Sequence, residues 1–106
     1  MNDHLAEGLR HFDAGRAWEA HEAWEIGWRA DPSPHRDAWK GLIQIAAAVH
    51  HLQRNHPGPV PALLARACHH LREHGHHLCR DPAAIIAAFC DFQDPRKVPH
   101  LGTLLG

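Results

Sequence analysis

Apolar residues recur every three or four positions along almost the whole chain, and no stretch alternates with period two. The pattern predicts helices and no sheet. Leu5, Leu9 and Phe12 mark one face of a short first helix, with Asp3 as its cap and Gly15 as its stop. A second helix runs from about Arg16 to Ala30. Asp31-Pro32-Ser33-Pro34 breaks it, with Ser33 placed to cap a third helix and Pro34 at its first position. That helix continues to about Arg54, where Asn55-His56-Pro57-Gly58-Pro59 forms a loop. A fourth spans roughly Pro61 to Leu78, with Leu63, Leu64, Ala67, Leu71 and Leu78 on one face. Asp81-Pro82 opens a fifth, shorter helix bearing Ile85, Ile86, Phe89 and Phe92. The tail from Asp94 onward is broken by Pro and Gly, yet Val98, Leu101, Leu104 and Leu105 suit packing against the core. With no repeat, linker or second composition, the expected fold is all-α: residues 1–106 as one single-domain helical bundle, a core of three helices and about five in all.

Helical geometry turns this pattern into a candidate site. At about 100° per residue, Ala17, Trp18, His21, Trp24, Glu25 and Trp28 fall within an arc of about 120°, with Glu22 on its border. The third helix is apolar nearly all round, through Leu42, Ile43, Ile45, Ala46, Val49 and Leu52, as befits the central helix of a bundle. Its one polar stripe is Lys40, Gln44 and His51, spaced by Ala47 and Ala48. A short loop favours antiparallel packing of these two helices. The expectation is a polar seam in which His21, Glu22 and Glu25 meet Lys40, Gln44 and His51 between walls of Trp18 and Trp28.

Composition narrows the function classes. The formal net charge is −1 and no Lys/Arg run occurs, so the electrostatic footprint of nucleic-acid binding is missing. The longest apolar stretch, Gly41 to Val49, is interrupted by Gln44 and falls far short of the roughly 20 residues of a bilayer span. Met1-Asn2-Asp3-His4 is polar and begins no secretory signal. The three cysteines, Cys68, Cys79 and Cys90, are odd in number and form no Cys-x-x-Cys pair, which suits a reduced cytoplasmic setting. Cys68 and Cys90 read as small core fillers. Ser33 and Thr103 belong to no nucleophile motif, and no Gly-rich loop suggests a nucleotide site.

Phe12-Asp13-Ala14-Gly15, followed by Trp18-Glu19-Ala20-His21-Glu22, Glu25 and Trp28, resembles the opening motif of the family known as domain of unknown function 309. Lys40-Gly41-Leu42-Ile43-Gln44-Ile45-Ala46-Ala47-Ala48 with His51 resembles its second motif. The resemblance implies a small all-helical domain built on a three-helix bundle, and no activity. It carries Trp18, His21, Glu22, Glu25, Trp28, Gly41, Gln44 and His51 over as family positions. This chain departs from the pattern at Trp24, where an aliphatic residue is usual, and in its histidine density after His50.

Three readings of the seam stand at this point. His21 and Glu25, one turn apart, with His51, offer two nitrogens and a carboxylate to a transition metal such as zinc, leaving Glu22 as a catalytic base toward bound water. The likeness to the zinc-protease motif His-Glu-x-x-His is incomplete, because Glu25 replaces the second histidine. Alternatively Glu22 and Glu25 accept hydrogen bonds from His21, Gln44, Lys40 or an indole N–H, closing a network that fixes helix register. A small cationic or amide ligand between Trp18 and Trp28 is the third. The favoured class is a structural or interaction module, with a metal-binding protein or metal-dependent hydrolase as the alternative. Beyond the seam, His70, His74 and His77 share a flank at i, i+4 and i+7 within the run His69 to His77, a spacing that could present ring nitrogens to a surface metal, more often adventitious than physiological; the favoured reading is a solvated face that charges in mild acid. His50 shares a side with Trp39 and Ile43, and an exposed Trp39 there would suit a homodimer contact.

Overall fold

The computed structural model describes residues 2–89 and 92–102. Five α-helices follow in chain order: α1 (Asp3–Asp13), α2 (Ala17–Ala30), α3 (Ala38–Gln53), α4 (Val60–His74) and α5 (Pro82–Phe89), with a 3-10 turn at Gly75–His77 prolonging α4. The all-α fold expected from the apolar period is what forms, with no strand among the described residues. Local chemistry explains most boundaries. The Asn2 side chain, one residue before the expected cap Asp3, accepts from the N–H groups of His4 and Leu5 at 2.8 and 3.3 Å. Gly15 turns the chain after α1 with φ +84°. Asp81 accepts from Ala84 N–H at the start of α5.

The third helix starts later than Pro34 suggests. Residues 33–37 form turns, with Arg36, Ala38, Trp39 and Lys40 N–H groups each reaching back three residues, and Ser33 Oγ accepts from His35 N–H at 3.0 Å. Ser33 therefore caps a turn and leaves α3 to begin at Ala38. The segment left outside the helix becomes a platform for side chains, described below.

α3 lies between α2 and α4, α1 packs on α2, and α5 leans on α4. The interior holds Trp24, Trp39, Leu42, Ile45, Leu71, Ile85, Phe89 and Leu101. α2 is rotated from the expected arc: its buried residues are Ala17, Ala20, Ala23, Trp24 and Gly27. Small residues, more than tryptophans, mark its inner face, because they let neighbouring backbones approach. A Cβ at Gly27 would stand 2.5 Å from the Trp39 ring, and one at Gly8 would stand 2.0 Å from Trp24 Nε1. Trp39 is buried at 1% exposure, so the premise of a Trp39-based dimer contact is overturned.

The described part of the tail packs through Leu101, with Val98 partly buried against the core. Leu101 is fully buried, and Asp13 accepts from Leu101 N–H and Gly102 N–H at 2.8 and 2.9 Å, tying the tail to the end of α1. Leu104, Leu105, Thr103 and Cys90 lie outside the described residues. Cys68 and Cys79 are buried, and burial pushes the Cys79 thiol up to about 12, where it carries almost no thiolate.

Candidate functional site

Insertion of Trp39 under Gly27 fixes the rotation of α3 against α2 and decides which side chains meet. Trp39, Ile43 and His50 share that side of α3, so the α3 histidine brought to α2 is His50, one position before the expected His51. The Trp18 ring stacks on His21 with centroids 4.7 Å apart and planes 8° from parallel, and its centroid lies 5.0 Å from that of His50. His51 instead has its ring centroid 6.3 Å from that of His56, which follows the end of α3.

The seam splits into two clefts that share Glu25. One, of about 320 Å³, is lined by Trp18, His21, Glu22, Glu25, Ile26 and Arg29 along the outside of α2. The other, of about 290 Å³, is lined by Glu25, Trp28, Lys40, Ile43, Gln44 and His70. Glu25 forms a loose ion pair with Arg29 at 3.5 Å, and its other oxygen lies 3.8 Å from His21 Nε2. Glu22 is exposed. The donors expected to close a network on the glutamates go elsewhere: Trp28 Nε1–H donates to Asp37 at 3.2 Å, and Lys40 pairs with Asp37 at 4.0 Å. Buried His21 Nδ1 and Gln44 Oε1 find no hydrogen-bond partner. Each such atom costs about 1–3 kcal/mol against a satisfied one, so the seam is an open arrangement.

The Trp28 wall is already taken by the chain's own cations, with the Arg36 guanidinium 4.4 Å and the Lys40 ammonium 5.0 Å from its ring centroid. Trp18 remains as an aromatic surface in the first cleft. Among the described residues, no three His, Cys, Asp or Glu side chains stand together so as to hold an ion as they lie. The set His21, Glu25 and His51 is therefore not assembled, for the reason already given: the α3 rotation carries His51 toward His56.

Residues 5–60 match the model of a family described as domain of unknown function (DUF309). The chain belongs to this family. The DUF309 match spans most of α1, all of α2 and α3, and the loops as far as the first residue of α4, so both clefts lie largely inside it and His70, His74 and His77 lie outside. No curated protein and no solved structure matches the chain. No helix among the described residues is long and apolar enough to cross a membrane.

Sequence reasoning missed Asp31, which reads only as part of a break between helices, and His35 and Asp37, which fall inside the expected third helix. Asp31 accepts from Ser33 N–H and Trp39 Nε1–H, both at 2.9 Å, and pairs with His77 at 2.7 Å. The signal available was an acidic break flanked by two tryptophans, whose indole N–H groups need acceptors when buried.

Burial lowers the pKa values of His21, His50 and His70 below the usual 6.5. At His21 the opposing pull of Glu25 and Glu22 is outweighed, and His50 adds to the lowering. At His50, Arg54 and His51 work with burial against Glu19; at His70, Lys40, His69 and His74 work with burial against Asp37. The unfolded chain thus binds these protons more readily. Their contribution to stability is complete above about pH 6.5 and falls as pH drops below it toward the folded values. The expected result is a melting temperature lower at pH 5.5 than at pH 7.5, with part of the difference removed in His21→Phe. Equal melting temperatures at the two pH values would contradict it.

Proposed function

We propose that this DUF309 chain is an interaction module that pairs with a second copy of itself through the outer face of α2. The observation that carries the reading is the exposure of Trp18 and Ile26, at 44% and 49%, on the helix that also bears His21, Glu22, Glu25 and Arg29. Large apolar side chains left in solvent two turns apart, rimmed by both charge signs, suit a protein contact. The charges are self-complementary. In an antiparallel pair of α2 helices about a two-fold axis between residues 25 and 26, Glu22 of each copy faces Arg29 of the other. Ile26 then lies near the centre and Trp18 at the outer ends. The loosely held Glu25 is a polar group such an interface can complete.

A small interface of this kind gives a dimer with Kd in the micromolar range. Light scattering across a concentration series should show a monomer passing to a dimer. Trp18→Ala and Ile26→Glu should leave the helical circular dichroism intact and hold the chain monomeric. Arg29→Glu should weaken pairing by roughly 10-fold, and the double variant Glu22→Arg/Arg29→Glu should restore it. A monomeric mass at submillimolar concentration, or a dimer indifferent to Trp18 and Ile26, would overturn the reading.

A further inference from the structure

His70, His74 and His77, which the helical pattern alone presents to solvent, face the 31–37 loop. His74 Nδ1 lies 3.3 Å from His35 Nδ1, and His77 Nε2 lies 2.7 Å from Asp31 Oδ2. The ring centroids are 5.5 Å apart for His35 and His74 and 6.4 Å for His35 and His77. His70 and His74 act electrostatically on Asp37 in the same loop. Three imidazoles from two distant parts of the chain, with a carboxylate bonded to one of them, is a donor set that a solvated face does not require.

The geometry points to a binding site for one divalent transition-metal ion of the zinc class, held by His35, His74 and His77 with Asp31 as the outer carboxylate. Tetrahedral zinc with Zn–N bonds of about 2.0–2.1 Å sets its ligand nitrogens about 3.3 Å apart and the ring centroids about 5 Å apart. His35 and His74 already stand at the first spacing and within about half an ångström of the second. As the side chains lie they do not form a group that could hold an ion, and the His77 ring centroid stands 6.4 Å from that of His35. The His77 ring has to come about 1.4 Å closer to His35, a side-chain adjustment on a one-turn 3-10 segment. With Nε2 engaged by Asp31, Nδ1 is the atom His77 turns to the ion. That is the carboxylate–histidine–metal arrangement, which fixes the tautomer and the ring orientation. Imidazole ligands select zinc, nickel or copper over magnesium or calcium. The exposed position of His35 leaves the fourth ligand to solvent. A bound ion would staple the loop ahead of α3 to the end of α4, and would be independent of pairing through α2.

Zinc titration by calorimetry and cobalt absorption, on protein made without a histidine tag, tests the site. One ion per chain, a visible cobalt spectrum of tetrahedral intensity, and a rise in melting temperature with zinc concentration are expected. His35→Ala and His74→Ala should each weaken binding at least 10-fold, and His77→Ala by about 10-fold. His69→Ala and His76→Ala, exposed histidines outside the set, should leave it unchanged. No binding, several weak ions per chain, an octahedral cobalt spectrum, or affinity indifferent to His35 and His74 would overturn the site; the middle two would mean adventitious histidine binding only. Circular dichroism of each variant separates loss of the site from loss of the fold.

Discussion

Trp24→Ala is expected to lower the stability of the folded chain by about 3–5 kcal/mol, the range for removing a large buried aromatic side chain. Trp24 is fully buried, its ring centroid lies 5.9 Å from that of Phe12, and its indole N–H donates to Leu5 O at 3.3 Å across the α1–α2 contact. Truncation leaves a cavity between α1 and α2 and removes that hydrogen bond. Such a loss is a large fraction of the 5–15 kcal/mol that holds a domain folded. The indole fits only because Gly8 lacks a side chain. A methyl there would lie 2.0 Å from Trp24 Nε1 and 2.4 Å from Cε2. Gly8→Ala alone should therefore destabilise the chain although alanine is the better helix former by about 1 kcal/mol. In a Trp24→Leu background the same Gly8→Ala change should become stabilising, because the space its methyl needs is vacated. Urea denaturation of the four combinations measures the coupling. Additive effects would show that the close approach does not govern this contact.

The order and type of the elements were legible because apolar spacing and turn chemistry report on the same local backbone. Leu5, Leu9 and Phe12 are buried as their period requires, and Asp81-Pro82 starts α5. Rotation about each helix axis was not legible to the same degree. A wheel weighted by large apolar residues placed Trp18 inward, whereas the Ala17, Ala20, Ala23 and Gly27 column sits against the bundle and leaves Trp18 half in solvent. Approach distance between backbones decides that rotation, and the absence of a side chain is a faint signal in a hydrophobicity pattern. The consequence reaches the site, since a shift of one residue on α3 exchanges His51 for His50. His21, Glu22 and Glu25 were recognisable as ionisable groups of one helix at short spacing. The partners in the 31–37 loop were not, because a contact between His35 and His74 joins positions 39 residues apart. Nothing local in the sequence encodes that meeting. It follows from α3 and α4 folding back to back.

Gly27→Ala is expected to be the second most damaging of these changes, and the reason is geometrical. The added methyl would lie 2.5 Å from two atoms of the Trp39 ring and 2.9 Å from a third. Trp39 is fully enclosed and has no flexible end to swing aside. Overpacking of this kind costs about 1–3 kcal/mol or more, against a gain of about 1 kcal/mol in helix propensity, so the net effect is a loss. The damage should spread along defined bonds. Trp39 Nε1–H donates to Asp31 Oδ2 at 2.9 Å, and the same oxygen holds His77 Nε2 at 2.7 Å. Displacing the indole therefore loosens α2 from α3 and the 31–37 loop from the end of α4 together. Trp39→Leu removes the clashing ring and with it the hydrogen bond to Asp31. The double variant should accordingly be less destabilised than the sum of the two single changes, by an amount readable in denaturation midpoints. A strictly additive double variant would show that α2 and α3 are not registered by this ring. A coupled one would place the whole arrangement, from Trp18 on His50 to Asp31 on His77, under the control of a missing side chain at residue 27.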